Sequence, residues 1–221
     1  MSILFAADNH YDTHGGRTLY EALDGDYDIE FHEDEWSCLD EPLAGRVDLL
    51  MLAMISGACD IPAPSAAGEE NVRGYLEAGG ALFLIHSGSA AFWLCDWWRP
   101  NVGYRWVRGE DADGFPNSTH PVQAYDVVVA KTRHPLARAL QPVQIPEDEL
   151  YTRLEQTCPA VTLLETTTAE GTYPMCYASQ TEWGGRVAGY LPGHAAEVAK
   201  LPGNVANCRV IMDYLLDAAG S

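Results

Sequence analysis

The architecture of this chain can be worked out from the stretch GGALFLIHSGSAAFWL, residues 79–94. Its apolar run ALFLI is typical of a strand that other elements cover on both faces. The run ends at His86, and the small residues SGSA follow at positions 87–90, which permits a sharp turn from a strand into a helix. The stretch therefore predicts a buried strand that carries an imidazole to the edge of a sheet.

The segments before this stretch alternate between strand and helix patterns. Strand patterns occur at residues 2–7, 27–31 and 47–54, and helical spacing occurs at residues 17–23. Residues 69–80 have the pattern of a helix that is closed by Gly79 and Gly80. This order of elements predicts an α/β fold with a doubly wound, mostly parallel sheet flanked by helices.

The second half of the chain is less regular at first and then returns to strand patterns. Residues 96–123 show no period and are expected to be irregular, whereas residues 125–130, 160–166, 174–179 and 186–191 have strand patterns. Residues 204–219 have the pattern of an amphipathic helix, with Asn204 as its N-cap. Since no repeat, linker or low-complexity tract interrupts the sequence, we expect a single domain over residues 1–221.

The charge balance argues against two classes of partner. The 221 residues include 13 basic and 32 acidic side chains, which give a net charge of −19. Nucleic acids and anionic membrane surfaces attract basic patches, so we expect neither to bind this chain. The six cysteines form no C-x-x-C pair, the N-terminus lacks a signal-peptide pattern, and no apolar run is long enough to span a membrane. We therefore expect a cytoplasmic protein with reduced thiols.

His86 is the first candidate for chemistry. Ligands of open α/β sheets bind beyond the carboxyl ends of the strands, which is where His86 should lie. The N-terminus of a following helix would disfavour the imidazolium, so a neutral His86 could act as a general base, a hydrogen-bond donor or a metal ligand. The alternative is a histidine that caps the turn or packs in the core.

Five short motifs follow one another along most of the chain. They are GYLEAGGALFLIHSGSAAF (residues 74–92), THPV (119–122), HPLARAL (134–140), EDELY (147–151) and GGRVAGYLPGH (184–194). In this order they resemble the trehalose-utilisation (ThuA-like) family. The resemblance implies a flavodoxin-like α/β fold of the class I glutamine amidotransferase-like superfamily and a role in carbohydrate metabolism.

The resemblance also marks site residues. It implies that His86, Glu149 and His194 are catalytic and that His120 and Tyr151 bind the substrate. Glu149 and Tyr151 are two positions apart, so they point to the same side of an extended segment. The alternative for this pair is a charged turn with a packed tyrosine. We expect His86 and His194 to converge in the largest polar pocket.

Two more histidines lie in the loop DNHYDTHGG after the first predicted strand. This loop opens at the same edge of the sheet, so His10 and His14 are further substrate-binding candidates, with a solvated polar loop as the alternative. His32 is expected at the surface, and His134 at the start of a short helix. Four tryptophans are divided between the core and a wall that could stack on a sugar ring: Trp93, Trp97, Trp98 and Trp106.

Three functions are compatible with these residues. The first is an enzyme that acts on a sugar or a 3-keto-glycoside, with His86 as the base in acid–base chemistry. A divalent metal such as zinc, held by His86, His120 and His194, could assist it. The second is a non-catalytic sugar-binding module, and the third is a subunit of a sugar-oxidising complex. A homo-oligomer is compatible with each, and the absence of G-x-G-x-x-G argues against an NAD site.

Glutaminase activity is not expected. In the amidotransferases of this superfamily the strand-to-helix turn holds the nucleophilic cysteine, whereas His86 occupies that position here and Cys95 lies nine residues further on. Without that thiol the thioester intermediate cannot form. The measurement is ammonia release from glutamine, and alkylation of the thiols should leave the activity of the protein largely intact. Ammonia release at enzymatic rates would contradict this prediction.

Overall fold

The computed structural model describes residues 1–23, 25–109 and 114–219. The strands are β1 (Ile3–Ala7), β2 (Ile29–Glu33), β3 (Leu49–Ala53), β4 (Ala81–Ile85), β5 (Tyr104–Arg105), β6 (Val122–Val129), β7 (Val143–Glu149), β8 (Glu155–Gln156), β9 (Ala160–Thr168), β10 (Gly171–Gln180) and β11 (Arg186–Tyr190). The helices are α1 (Gly15–Leu23), α2 (Ala66–Glu77), α3 (Ala196–Ala199) and α4 (Pro202–Ala219). Within the described ranges, every helix is too short or too polar to cross a lipid bilayer.

Nine of the described strands form one sheet in the order β2-β1-β3-β4-β11-β10-β9-β6-β7. The first five are parallel neighbours, and the last four extend the sheet in antiparallel pairs. The predicted flavodoxin-like α/β fold is confirmed. The sequence pattern locates β6, β9 and β10 of the antiparallel extension but not β7, and it does not give their direction, because apolar periodicity is the same for both directions.

The inner parallel strands β1, β3 and β4 are buried on both faces, as their continuous apolar runs predict, whereas the edge strand β2 is only partly buried, as its alternating pattern predicts. Alternate residues such as Phe5 and Phe83 pack on one face, which α1 and α4 cover. Their neighbours Leu4 and Leu82 pack on the other face, which α2 covers. Each side chain therefore enters one of two apolar layers, because successive residues of a strand point to opposite sides.

The turn after β4 differs from the prediction. Instead of an α-helix, a 3₁₀ helix of five residues (His86–Ala90) follows the strand. The chain passes so close to β3 that a Cβ atom at Gly88 would collide with the carbonyl oxygen of Leu52. The turn therefore provides no α-helix N-terminus beside the His86 ring, contrary to the prediction.

Two further predictions can be compared with the described residues. The C-terminal helix begins at Pro202, so Asn204 is not its N-cap. The Asn204 side chain instead donates to the Val198 carbonyl and accepts a hydrogen bond from the Tyr190 hydroxyl. In the irregular segment 96–123, the described part contains a three-residue 3₁₀ helix, the two-residue β5 and the first residues of β6. Residues 110–113 of that segment lie outside the described residues.

A pair of glycine substitutions tests the close approach at the turn. Gly88→Ala should lower the free energy of unfolding by about 1–3 kcal/mol, because the added methyl has no room. Gly74→Ala, at an exposed position within α2 where the methyl meets open space, should raise it by about 0.5–1 kcal/mol. Denaturant unfolding of both variants is the measurement. Equal stabilities would show that the turn tolerates a side chain.

Candidate functional site

Side chains from four strands meet at the carboxyl edge of the parallel sheet. His10 follows β1, His86 follows β4 and His194 follows β11, while Glu149 is the last residue of β7 in the antiparallel extension. One nitrogen of each imidazole and one carboxylate oxygen all lie within 4.8 Å of one another. We call these four residues the His/Glu cluster.

The His86 ring is oriented by one hydrogen bond. Its Nδ1 lies 2.8 Å from the carbonyl oxygen of Leu191 and donates to it, because a carbonyl can only accept. In the neutral ring Nε2 then carries the lone pair, and this atom is 3.5 Å from Oε2 of Glu149. The backbone of His86 has a φ of 47°, in the left-handed region that few non-glycine residues adopt.

Asp148 positions the loop that bears His194. Its carboxylate accepts three backbone hydrogen bonds, from the N–H groups of Gly193 (2.7 Å), His194 (3.3 Å) and Ala195 (3.0 Å). The side chain is buried, so these charge-assisted bonds are poorly screened by water. The loop after β11 is thereby fixed to the end of β7.

Glu149 contacts three imidazoles. Its Oε1 is 2.8 Å from Nδ1 of His120 and 3.5 Å from Nε2 of His194, and its Oε2 faces His86. Burial alone would raise the pKa of Glu149, but the contact with His86 and the charges of the three imidazoles lower it to about 2. Glu149 is therefore ionised at neutral pH.

Burial shifts the neighbouring groups toward their uncharged forms. Burial, reinforced by His86, lowers the pKa of His194 to about 4. Burial also lowers the pKa of His10, against the opposing contact with Asp8. For Tyr151, burial and then the charge of Glu149 raise the pKa well above its ordinary value, so the phenol keeps its proton. Several ionisable groups with shifted pKa values in one place are typical of functional sites.

A cavity of about 220 Å³ opens beside the cluster. Its walls include Tyr11, Trp106, His120, Glu149 and Tyr151. The Trp106 ring lies 4.6 Å from Tyr151 and 5.4 Å from His120, centroid to centroid, whereas Trp98 is buried in the core, as expected for some of the tryptophans.

The expectation about the largest pocket is wrong. His86 and His194 do converge, with ring centroids 5.3 Å apart, but they line a small void that adjoins this cavity. A larger cavity of about 700 Å³ lies elsewhere and contains no member of the cluster.

Three predicted site residues lie outside the cluster, of which Tyr151 and His120 line the cavity and His14 does not. His14 does not line the cavity, because its Nδ1 is 3.2 Å from the carboxylate of Glu33, so we remove it from the substrate-binding candidates. His120 lies on the cavity wall, but His10 takes its place among the grouped imidazoles, so the expected metal set of His86, His120 and His194 changes by one residue. His134 accepts a hydrogen bond from the Leu136 N–H at the start of a 3₁₀ helix, as expected.

Sequence comparison identifies the family. The model of the ThuA family, described as trehalose utilisation, matches residues 9–205. The chain belongs to the ThuA family. Membership implies a role in carbohydrate metabolism. No curated protein sequence matches the chain.

Solved structures share the fold of this ThuA chain at low sequence identity. A ThuA-like protein from Parabacteroides merdae is 14% identical, with a TM-score of 0.77 over 98% of this chain and 90% of that one. A ThuA-like protein from Bacteroides uniformis is also 14% identical, with a TM-score of 0.68 over 97% and 90%. A protein of Salmonella typhimurium, described as cytoplasmic, is 12% identical, with a TM-score of 0.60 over 96% and 98%.

Two buried carboxylates support the cluster and are not among the residues predicted from the sequence. Asp8 lies 3.3 Å from Nδ1 of His10, and its other oxygen accepts the N–H of Ile55 at 2.7 Å. Asp148, described above, is the second. Both had a signal in the sequence: Asp8 directly follows a buried apolar run, and Asp148 precedes Glu149 in the EDELY motif.

Asp148→Asn tests the support of the His194 loop. The amide cannot accept at both ends and directs its own N–H groups at the loop, so unfolding should become easier by about 1.5–3 kcal/mol. The exposed neighbour provides the control, since Glu147→Gln should change the free energy of unfolding by less than about 0.5 kcal/mol. Urea unfolding measures both. If Asp148→Asn is as stable as the control variant, the loop is held by other contacts.

Proposed function

We propose that this chain is an enzyme that acts on a sugar or a 3-keto-glycoside by acid–base chemistry beside the His/Glu cluster. One observation carries the proposal: ionised Glu149 and the imidazole of His120 share a cavity wall, with Oε1 and Nδ1 2.8 Å apart. An imidazole that a carboxylate orients in this way can accept a proton and return it. The carbohydrate role of the family supports a sugar as the substrate.

The size and walls of the cavity are compatible with one sugar ring. Its volume of about 220 Å³ lies below the ~300–1,000 Å³ of pockets for drug-sized ligands. Trp106 and Tyr151 offer flat apolar surfaces to the C–H face of a sugar. Tyr11, at the cavity wall, is 60% exposed, so the rest of a glycoside would extend into water.

A 3-keto sugar provides the proton that this pair can remove. The carbonyl acidifies the neighbouring C–H bonds, and loss of one proton leaves an enolate. We assign the base to His120, which is 52% exposed and so can reach a substrate in the cavity. The protonated phenol of Tyr151 can donate a hydrogen bond to the oxygen on which negative charge develops. Return of the proton from His120 to a different atom of the enolate completes an isomerisation, whereas return to the same carbon regenerates the substrate.

The sequence favours His86 as the base, and we revise that role. The His86 side chain is 4% exposed, its Nδ1 is bonded to Leu191, and its Nε2 faces Glu149 rather than the cavity. His86 and His194 therefore act through Glu149, as positioning residues. His10, in contrast, lines both the cavity and the void beneath it.

Substitutions of the proposed pair test this function. His120→Gln and Glu149→Gln should each lower kcat for 3-keto-glycosides by about a hundredfold or more, because proton transfer loses its base or the carboxylate that orients it. His32→Gln, at a histidine remote from the cavity, should leave kcat unchanged. Thermal melting checks that each variant is folded.

Three results would count against the proposed enzyme. Full activity in folded His120→Gln protein would end the assignment of the base. Sugar binding without turnover would support the non-catalytic binding module instead. Turnover that appears only with a co-purifying protein would support a subunit of a larger complex.

A further inference from the structure

We propose that His10, His86, His194 and Glu149 bind one divalent transition-metal ion, and that the geometry fits zinc. This inference deepens the proposed function and rests on it for its catalytic meaning, although metal binding can be tested without any turnover. The set differs from the one that the sequence suggests, because His10 replaces His120 and a carboxylate joins the imidazoles.

The spacing of the three rings matches tetrahedral coordination. The ring centroids of His10 and His86 are 5.0 Å apart, those of His10 and His194 are 5.0 Å apart, and those of His86 and His194 are 5.3 Å apart. Rings bound through nitrogens at about 2.1 Å from one ion would have centroids about 5.2 Å apart at tetrahedral angles and about 4.5 Å apart at right angles. The observed triangle agrees with the tetrahedral value.

The orientation of His86 leaves a ligand atom without a partner. Since Nδ1 donates to Leu191, Nε2 is the ring nitrogen that faces the carboxylate of Glu149, 3.5 Å from Oε2. Among the described residues this buried Nε2 has no hydrogen-bond partner, and an unpartnered buried polar atom is costly. A cation between the two atoms could be coordinated by both.

The surroundings of the imidazoles have the form of a second coordination shell. Metal-bound histidines usually donate their other N–H to a carbonyl or a carboxylate, which fixes the ring. Leu191 supplies such a carbonyl to His86, and Asp8 places a carboxylate oxygen 3.3 Å from Nδ1 of His10. Asp148 fixes the backbone that carries His194.

The backbone at two of the proposed ligands is strained. His10 has a φ of 48° and His86 a φ of 47°, and such conformations cost about 1–3 kcal/mol each in a non-glycine residue. Strain of this kind persists where the surroundings impose it, which is common at ligand sites. An ion that binds both side chains would offset the strain.

A bound ion that accepts a carbonyl or hydroxyl oxygen of the sugar as a fifth ligand would supply Lewis acidity toward that oxygen. The residues of the chain would divide the remaining tasks. Glu149 would hold His120 through Oε1, while Oε2, which faces His86, would complete the ligand set. His120 would stay free of the ion to carry the proton.

The first experiment measures metal content. The full chain is purified without a metal-affinity tag or chelator, and we expect about one zinc ion per chain by elemental mass spectrometry. His10→Gln and His194→Gln should each weaken zinc affinity by at least about tenfold. His14→Gln is the matched control, because this histidine lies in the same loop as His10 but pairs with Glu33, and it should retain the ion.

A second measurement uses wild-type protein, so that the test does not depend on whether the variants fold. Wild-type protein is stripped with a chelator and reloaded with Co²⁺, which should give the intense visible absorption of tetrahedral cobalt and a higher melting temperature. Wild-type protein that holds no ion after incubation with Zn²⁺ or Co²⁺, with an unchanged melting temperature, would overturn the inference. So would equal metal content in the wild type, the cluster variants and the control, since that is adventitious binding.

The two proposals fail in different ways. Stoichiometric metal in a protein that turns over no sugar or 3-keto-glycoside would overturn the proposed function and leave the metal site standing. Turnover by protein with verified absence of metal would leave the proposed function standing and remove the catalytic role of the ion, while metal content and cobalt absorption decide whether the site binds one.

Discussion

The carboxylate of Asp148 joins the two halves of the sheet. Asp148 belongs to the antiparallel extension, yet its oxygens accept the N–H groups of residues 193–195, which follow the parallel strand β11. The residue after it is Glu149, so the same contact places the carboxylate of the cluster among imidazoles that come from the parallel strands. The site is therefore shared between the two halves and depends on their fixed relation.

The residues of the site lower the stability of the fold. His10 and His86 have left-handed backbone conformations, and the ionised carboxylate of Glu149 is half-buried beside the ring of His194, whose pKa is lowered to about 4. The inner parallel strands β1, β3 and β4 supply the compensating free energy, because their side chains are buried on both faces. Burial of apolar surface contributes about 25 cal/mol per Å², so the fully buried side chains of a few strands offset local costs of a few kcal/mol.

Sequence patterns predicted the strands that carry the site better than the residues that form it. The apolar runs predicted the parallel strands, and the position of His86 and His194 after two of them placed both at one edge. The membership of His10 depends on a loop with several positive φ angles, which has no periodic signal. The roles of Asp8 and Asp148 depend on pairings across the fold, and residue type alone does not reveal which backbone groups a carboxylate reaches. The contact between His14 and Glu33, which keeps His14 away from the cavity, is likewise a pairing that the sequence does not reveal.

The order of the strands also governs when the site can form during synthesis. β4 lies beside β11 in the sheet, and the contact between His86 and Leu191 joins residues 105 positions apart in the sequence. Pairings of such long range form late, because the loop must close before the contacts contribute. A nascent chain on the ribosome holds His10 and His86 well before His194 and Leu191 have emerged. The complete set of imidazoles therefore assembles only after residues 191–194 have left the ribosome, since the carbonyl group that orients the His86 ring emerges with them.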